Sequence, residues 1–151
     1  MSDVHSKQVR SYNMSRIKSK NTKPELIVRK FLHSLGFRFR IHVKRLAGTP
    51  DIVLTKYKTA IFVHGCFWHG HSGCRYYVVP KTRTDWWLAK INNNISRYQN
   101  SKNTLLAAGW KVIEVWECDL KNKNLVKSLS LLVDEILGNF SESDLSQNEN
   151  N

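Results

Sequence analysis

The sequence predicts one α/β domain: a central mixed β-sheet flanked by helices and stapled by a structural zinc site. Three observations predict it. Short apolar runs of strand character, at 37–41, 51–54, 59–64 and 110–116, are interleaved with longer runs of helical period. No low-complexity break or internal repeat divides the 151 residues, a length suited to one core. Third, the apolar run 59–64 empties into a loop, Gly65-Cys66-Phe67-Trp68-His69-Gly70-His71-Ser72-Gly73-Cys74, whose residue types suit metal binding, proton transfer and stacking better than packing.

Taken in order, residues 1–21 are polar and basic, with Val9, Met14 and Ile17 too sparse for a core element. They read as a basic N-terminal arm, with room for a short helix near Ser11–Ser19. Thr22-Lys-Pro-Glu25 has capping-box spacing with Pro24 in the first turn, so a helix begins here. Ile27, Val28, Phe31, Leu32 and Leu35 give its apolar face, and Gly36 stops it. Phe37-Arg-Phe-Arg-Ile41 alternates as a half-exposed strand does. Gly48-Thr-Pro-Asp51 turns into a second strand that Asp51 begins, where an acid has no packing value. Tyr57-Lys58 turns the chain into a third strand, Thr59–His64. After a loop at 76–84, a long helix capped by Thr84 or Thr82 runs to Gly109, with Leu88, Ile91, Ile95, Tyr98, Leu105 and Leu106 as its buried face. Strand 110–116 and a last helix, Asn124–Gly138, complete the order α-β-β-β-α-β-α. The tail 141–151, rich in Ser, Asn and acids, reads as disordered, which leaves 22–140 as the folded domain.

The formal net charge is +12. It is concentrated before residue 121, since residues 1–50 set twelve Lys and Arg against only Asp3 and Glu25. A polyanion, nucleic acid above all, is the partner this favours. No apolar run approaches the roughly 18 residues of a membrane span, and the N-terminus lacks the order of a signal peptide. A cytoplasmic protein with no membrane partner is the expectation. Three cysteines argue against a secreted disulfide framework.

Cys66-x4-His71-x2-Cys74 offers three soft ligands within nine residues. Cys118 follows a strand able to lie beside the one that precedes the loop. Three thiolates and one imidazole make a closed, structural zinc site, which leaves no position for catalysis. His64 and His69 are then left over beside Asp51. An aspartate and a backbone carbonyl from the neighbouring strand end suit Mg²⁺, and a nearby histidine suits proton abstraction from water. Glu25, an isolated carboxylate in a basic stretch, is either a helix cap or part of that centre. These residues alone leave phosphodiester hydrolysis and a non-catalytic DNA-binding domain both open. Phe67 and Trp68, exposed in a tethered loop, would serve as wedges between base steps. One of Trp86 and Trp87 is expected in the core, as are Trp110 and Trp116.

Several spaced motifs then resemble one family, the very-short-patch repair (Vsr) DNA mismatch endonucleases. They are Met14-Ser-Arg-Ile-Lys-Ser-Lys-Asn-Thr-Lys-Pro-Glu25, Gly48-Thr-Pro-Asp51, Phe62-Val-His-Gly-Cys-Phe-Trp-His69, Pro80-Lys-Thr-Arg83 and Gly109-Trp-Lys-Val with Trp116-Glu-Cys118. The resemblance, which covers about Asp3 to Leu137, implies a restriction-endonuclease-like fold with structural zinc. It implies Mg²⁺-dependent nicking 5′ to the thymine of a T:G mismatch, the lesion left by deamination of 5-methylcytosine. By matching position, Asp51 is implied as the Mg²⁺ ligand with the Val63 backbone oxygen, His69 as general base, and His64 and Glu25 as supporting groups. Cys66, His71, Cys74 and Cys118 match the zinc ligands. Phe67, Trp68 and Trp87 match the wedge, Lys90 and Asn94 match groups that read the mispaired bases, and Met14 belongs to an arm that closes on DNA. A bacterial monomer working at the nucleoid, coupled to a DNA cytosine-5 methyltransferase and mismatch-repair proteins, is implied as well. A zinc-stabilised mismatch-binding protein without cleavage and a restriction-like nuclease acting on unmodified sites are the alternatives.

Overall fold

The computed structural model describes residues 20–138. The arm over 1–21 apart from Lys20 and Asn21, its helix near Ser11–Ser19, Met14 and the tail 141–151 lie outside the described residues. Helix α1, Lys23–Ser34, starts where expected: the Thr22 hydroxyl accepts from the Glu25 N–H at 3.5 Å, and Pro24 sits in the first turn. Its buried face is Glu25, Val28 and Leu32, spaced as successive turns require. Leu35 is exposed instead, because the helix ends one residue before it.

Strand β1 is only Arg40–Ile41. Phe37 and Phe39, expected in the same strand, pack on the core without joining the ladder. Strands β2, Ile52–Leu54, and β3, Thr59–His64, are joined by a tight helical turn over Thr55–Tyr57 that Lys58 closes at φ 47°. Strand β4 is Lys111–Trp116, and the sheet order is β1-β2-β3-β4. The first two pairings are antiparallel and β3 pairs β4 in parallel, with His64 opposite Trp116. Cys118, two residues beyond Trp116, is thereby carried to the loop that leaves β3, as expected.

Alternation along β3 sorts the layers. Ile61 joins Ile52, Leu54, Ile113 and Val115 under α1 and the last helix, α3, Leu125–Leu137. Ala60 and Phe62 face the other way, onto Leu105 and Tyr98 of helix α2, Thr84–Ala107. The result is a mixed four-stranded sheet with helices on both faces.

Helix α2 departs from expectation at both its start and its buried face. Its N-cap is Arg83, at φ 56° and with no side-chain cap, whereas the Thr84 hydroxyl donates back to the Pro80 and Lys81 carbonyls. Only Ile91 and Leu105 are buried, and Leu88, Ile95 and Leu106 are exposed. The reason is length: a 24-residue helix spans about 36 Å, and strands of six residues cover only about 20 Å. The helix overhangs its sheet. Among the described residues no helix is long and apolar enough to cross a membrane.

Candidate functional site

A cleft of about 1050 Å³ opens beside the end of β3. Glu25, Asp51, Val63, His64, Phe67, Trp68, His69, Lys90 and Asn94 all line it, together with Lys20, Lys44 and Arg97 on its basic walls. The hairpin explains the first meeting. Asp51 precedes β2 and Val63 is near the end of β3, so antiparallel pairing brings them together, and the Val63 N–H donates to Asp51 Oδ2 at 2.7 Å. Burial pushes the Asp51 carboxyl up to about 6, the Val63 N–H pulls it down, and the Glu25 carboxylate nearby pushes it up again. A carboxylate so placed carries charge at a cost, the condition a bound cation relieves.

His64 and His69 stand with ring centroids 4.1 Å apart, although four residues of loop separate them. Burial first, and His69 second, hold the His64 imidazole down to about 3. Burial also lowers His69, against a smaller upward pull from Glu114. Both rings are therefore neutral near pH 7, and His64 Nε2 and His69 Nδ1 are buried with no hydrogen-bond partner among the described residues. Behind them the Tyr98 ring meets His64 edge-on at 4.4 Å, while its hydroxyl donates to Glu114 at 2.7 Å. Lys102 reaches the same carboxylate oxygen at 3.1 Å.

Cys66, His71, Cys74 and Cys118 converge as their spacing suggested, with one donor atom from each lying within 4.8 Å of all the others. Cys118 Sγ is 3.4 Å from His71 Nδ1. Donors on one tetrahedral zinc stand about 3.5–3.8 Å apart, so the residues fit an ion of that kind. Burial and the crowding of neighbouring thiols push Cys118 up to about 12, and burial also raises Cys66. Cys74 is lowered, chiefly by the Tyr76 N–H. Cys66 and Cys118 therefore resist ionisation unless a cation holds them. Trp116, expected in the core, instead stacks on His71 at 4.0 Å and 7° and meets His64 at 4.9 Å. Its indole forms the wall between the cysteine cluster and the histidine pair.

Phe67, Trp68 and Trp87 form one aromatic cluster, with centroids 5.1 to 5.9 Å apart. Each is half-buried against the others, less exposed than the loop alone suggested. Neither Trp86 nor Trp87 enters the core. Trp86 lies 44% exposed beside its neighbour, with Arg83 and Lys90 over its ring at 4.8 and 5.6 Å. The Asn94 amide donates to the Trp68 carbonyl at 3.1 Å and accepts from Arg97 at 3.3 Å, so it ties α2 to the aromatic loop.

One participant is absent from the sequence reading. His42 follows β1, where its N–H donates to the Asp51 carbonyl at 3.3 Å. Its Nε2 lies 3.1 Å from Glu25 Oε2 and 3.2 Å from Arg29 Nη2, which is itself 2.8 Å from the same oxygen. Glu25, His42 and Asp51 each offer a donor atom within 4.8 Å of the others. A single histidine after a short alternating run carries no signal of this, since it depends on pairing across 17 residues.

Comparison with known proteins gives a consistent set of relatives. Residues 2–75 match the family described as DNA mismatch endonuclease Vsr. The type II nicking enzyme V.NmeAIP of Neisseria meningitidis serogroup A is 52% identical over 90% of this chain and 97% of its own length. The type II nicking enzyme V.XorIIP of Xanthomonas oryzae is 51% identical over 81% and 89%. The DNA mismatch endonuclease Vsr of Escherichia coli is 42% identical over 82% and 78%.

Proposed function

Because the chain belongs to the Vsr family of DNA endonucleases, we propose that it nicks double-stranded DNA at a T:G mismatch, 5′ to the thymine. The observation that carries the reading is that Asp51, His64, His69 and Glu25 line one cleft whose wall also holds Phe67 and Trp68. The relatives named nicking enzymes support a cut in one strand only.

In this reading Asp51 and the Val63 carbonyl would hold Mg²⁺, which when bound would acidify a water and neutralise charge on the phosphate. His69 acts as general base. It is kept neutral by burial and has Nδ1 shut away from solvent, so Nε2 is the nitrogen left to take the proton of the attacking water. His64 packs against that ring and fixes its plane, and Glu25 supports the groups around the ion. Cys66, His71, Cys74 and Cys118 hold a structural zinc, closed to substrate, which fixes the loop carrying both base and wedge. Phe67 and Trp68, backed by Trp87, enter the stack beside the mismatch, where unstacking is least costly. Lys90 and Asn94 approach the mispaired bases, and the arm with Met14 closes on the duplex. Residues 22–140 are the nuclease domain, on a restriction-endonuclease-like plan, and deaminated 5-methylcytosine left by a cytosine-5 methyltransferase is the source of substrate.

The test is a T:G duplex with each strand labelled. Nicking of the T strand with Mg²⁺, and none with chelator, is the expected result. Binding without a nick in either condition would make the chain a mismatch-binding protein, and equal cutting of fully paired duplex would make it a restriction-like nuclease.

A further inference from the structure

Three donors of mixed kind meet on one side of the cleft: a carboxylate from the first turn of α1, an imidazole from the end of β1 and a carboxylate from the start of β2. Two donors at right angles on one ion about 2.1 Å away stand about 3.0 Å apart. Glu25 Oε2 and His42 Nε2 are 3.1 Å apart. The same spacing serves a hydrogen bond when Nε2 carries the proton, and a pair of ligands when a cation takes the proton's place. The Arg29 guanidinium touches both, at 2.8 and 3.2 Å, so the pair is already shaped around positive charge. Arg29 is not fully housed there, because its Nε is buried with no acceptor among the described residues.

We propose that His42, with Glu25 and Asp51, forms a mixed nitrogen–oxygen cation site, so that this chain binds Mn²⁺ in preference to Mg²⁺. Mg²⁺ is a hard ion that takes oxygen ligands and keeps its waters, and gains little from an imidazole. Mn²⁺ accepts carboxylates equally well and, being softer, accepts a ring nitrogen too. Replacing one oxygen donor by His42 therefore tilts the choice of ion without altering the carboxylates. An ion there takes the place of the Arg29 guanidinium on both donors. The inference rests on reading Asp51 as a metal ligand.

Binding is read directly on the full zinc-loaded chain, from the loss of the free Mn²⁺ paramagnetic resonance signal, with Mg²⁺ as competitor. The wild type is expected to hold Mn²⁺ at least tenfold more tightly than Mg²⁺. His42→Gln should weaken Mn²⁺ about tenfold or more and move Mg²⁺ less than twofold. His42→Asp, which restores an all-oxygen set, should bring Mg²⁺ to within a few-fold of Mn²⁺, and it serves as well if the glutamine variant folds poorly. Unchanged Mn²⁺ affinity in a folded His42→Gln would overturn the proposal and leave His42 a partner of Arg29 alone. Asp51→Asn should weaken both ions, and if it weakens neither, the underlying reading of Asp51 fails instead.

Discussion

At the scale of single residues, Asp51 and His64 pull the pH dependence of stability in opposite directions. Asp51 is raised from 3.8 to about 6, so its contribution is present below pH 3.8 and is lost as pH rises through 6. His64 is lowered from 6.5 to about 3, so its contribution is present above pH 6.5 and is lost as pH falls toward 3. Over roughly pH 4 to 6 the two offset. Asp51→Asn should therefore lose more stability than wild type between pH 7 and pH 5, and His64→Asn less, each by about 1–2 kcal/mol in urea denaturation. Loss in acid of any ion held by the cysteine cluster is common to all three proteins and cancels in the comparison. Identical pH profiles would show that neither group is perturbed. For activity, Asp51→Ala should abolish single-turnover nicking while the melting temperature stays within a few degrees. His69→Ala should slow nicking by about 10²–10⁴-fold. Asp51 was legible in the sequence because an acid has no reason to begin an apolar strand. His42 was not, because its neighbours Glu25 and Arg29 come from a helix whose position relative to β1 no local pattern encodes.

Among the elements, the loop before β2 shows why a motif glycine is needed. Gly48 sits at φ 76°, and a Cβ there would lie 2.7 Å from the Ser101 Cβ of α2. Both the backbone and the helix exclude a side chain. Gly48→Ala should cost about 1–3 kcal/mol in denaturant titration and move the adjoining Asp51. A loss under 0.5 kcal/mol would mean that the loop and α2 do not pack as described. Strand and helix periods located every strand and α-helix among the described residues, yet they overextended the first strand and misjudged α2. Leu88, Ile95 and Leu106 have the right spacing for a buried face, but the sheet beneath is too short to cover them. The start of α2 was misread for a related reason. Two threonines fit the capping preference, whereas Thr84 uses its hydroxyl to fasten the preceding loop at Pro80 and Lys81.

For the molecule as a whole, the cysteine cluster and the cleft share a wall. Trp116 lies against His71 on one side and His64 on the other, so an ion held by the cysteines also holds the histidine pair in place. Cys118→Ser, or prolonged chelation, should release zinc, lower stability by several kcal/mol, and abolish nicking even with excess Mg²⁺. Unchanged metal content and melting in the variant would rule out the cluster as a zinc site. The net charge of +12 makes a further prediction: DNA affinity should fall steeply with salt, for matched and mismatched duplex alike. The sequence by itself determined the order of strands and α-helices, the clustering of three cysteines with His71, the acid at the strand start and the basic balance, because each is written in local spacing or in composition. Only the tertiary structure decided that Phe67, Trp68 and Trp87 shield one another, that Trp116 separates the two centres, and that His42 joins Glu25 beside Asp51. Those contacts depend on strand register and on where helices cross the sheet. Both are set by the packing of the whole core, which no short stretch of chain contains.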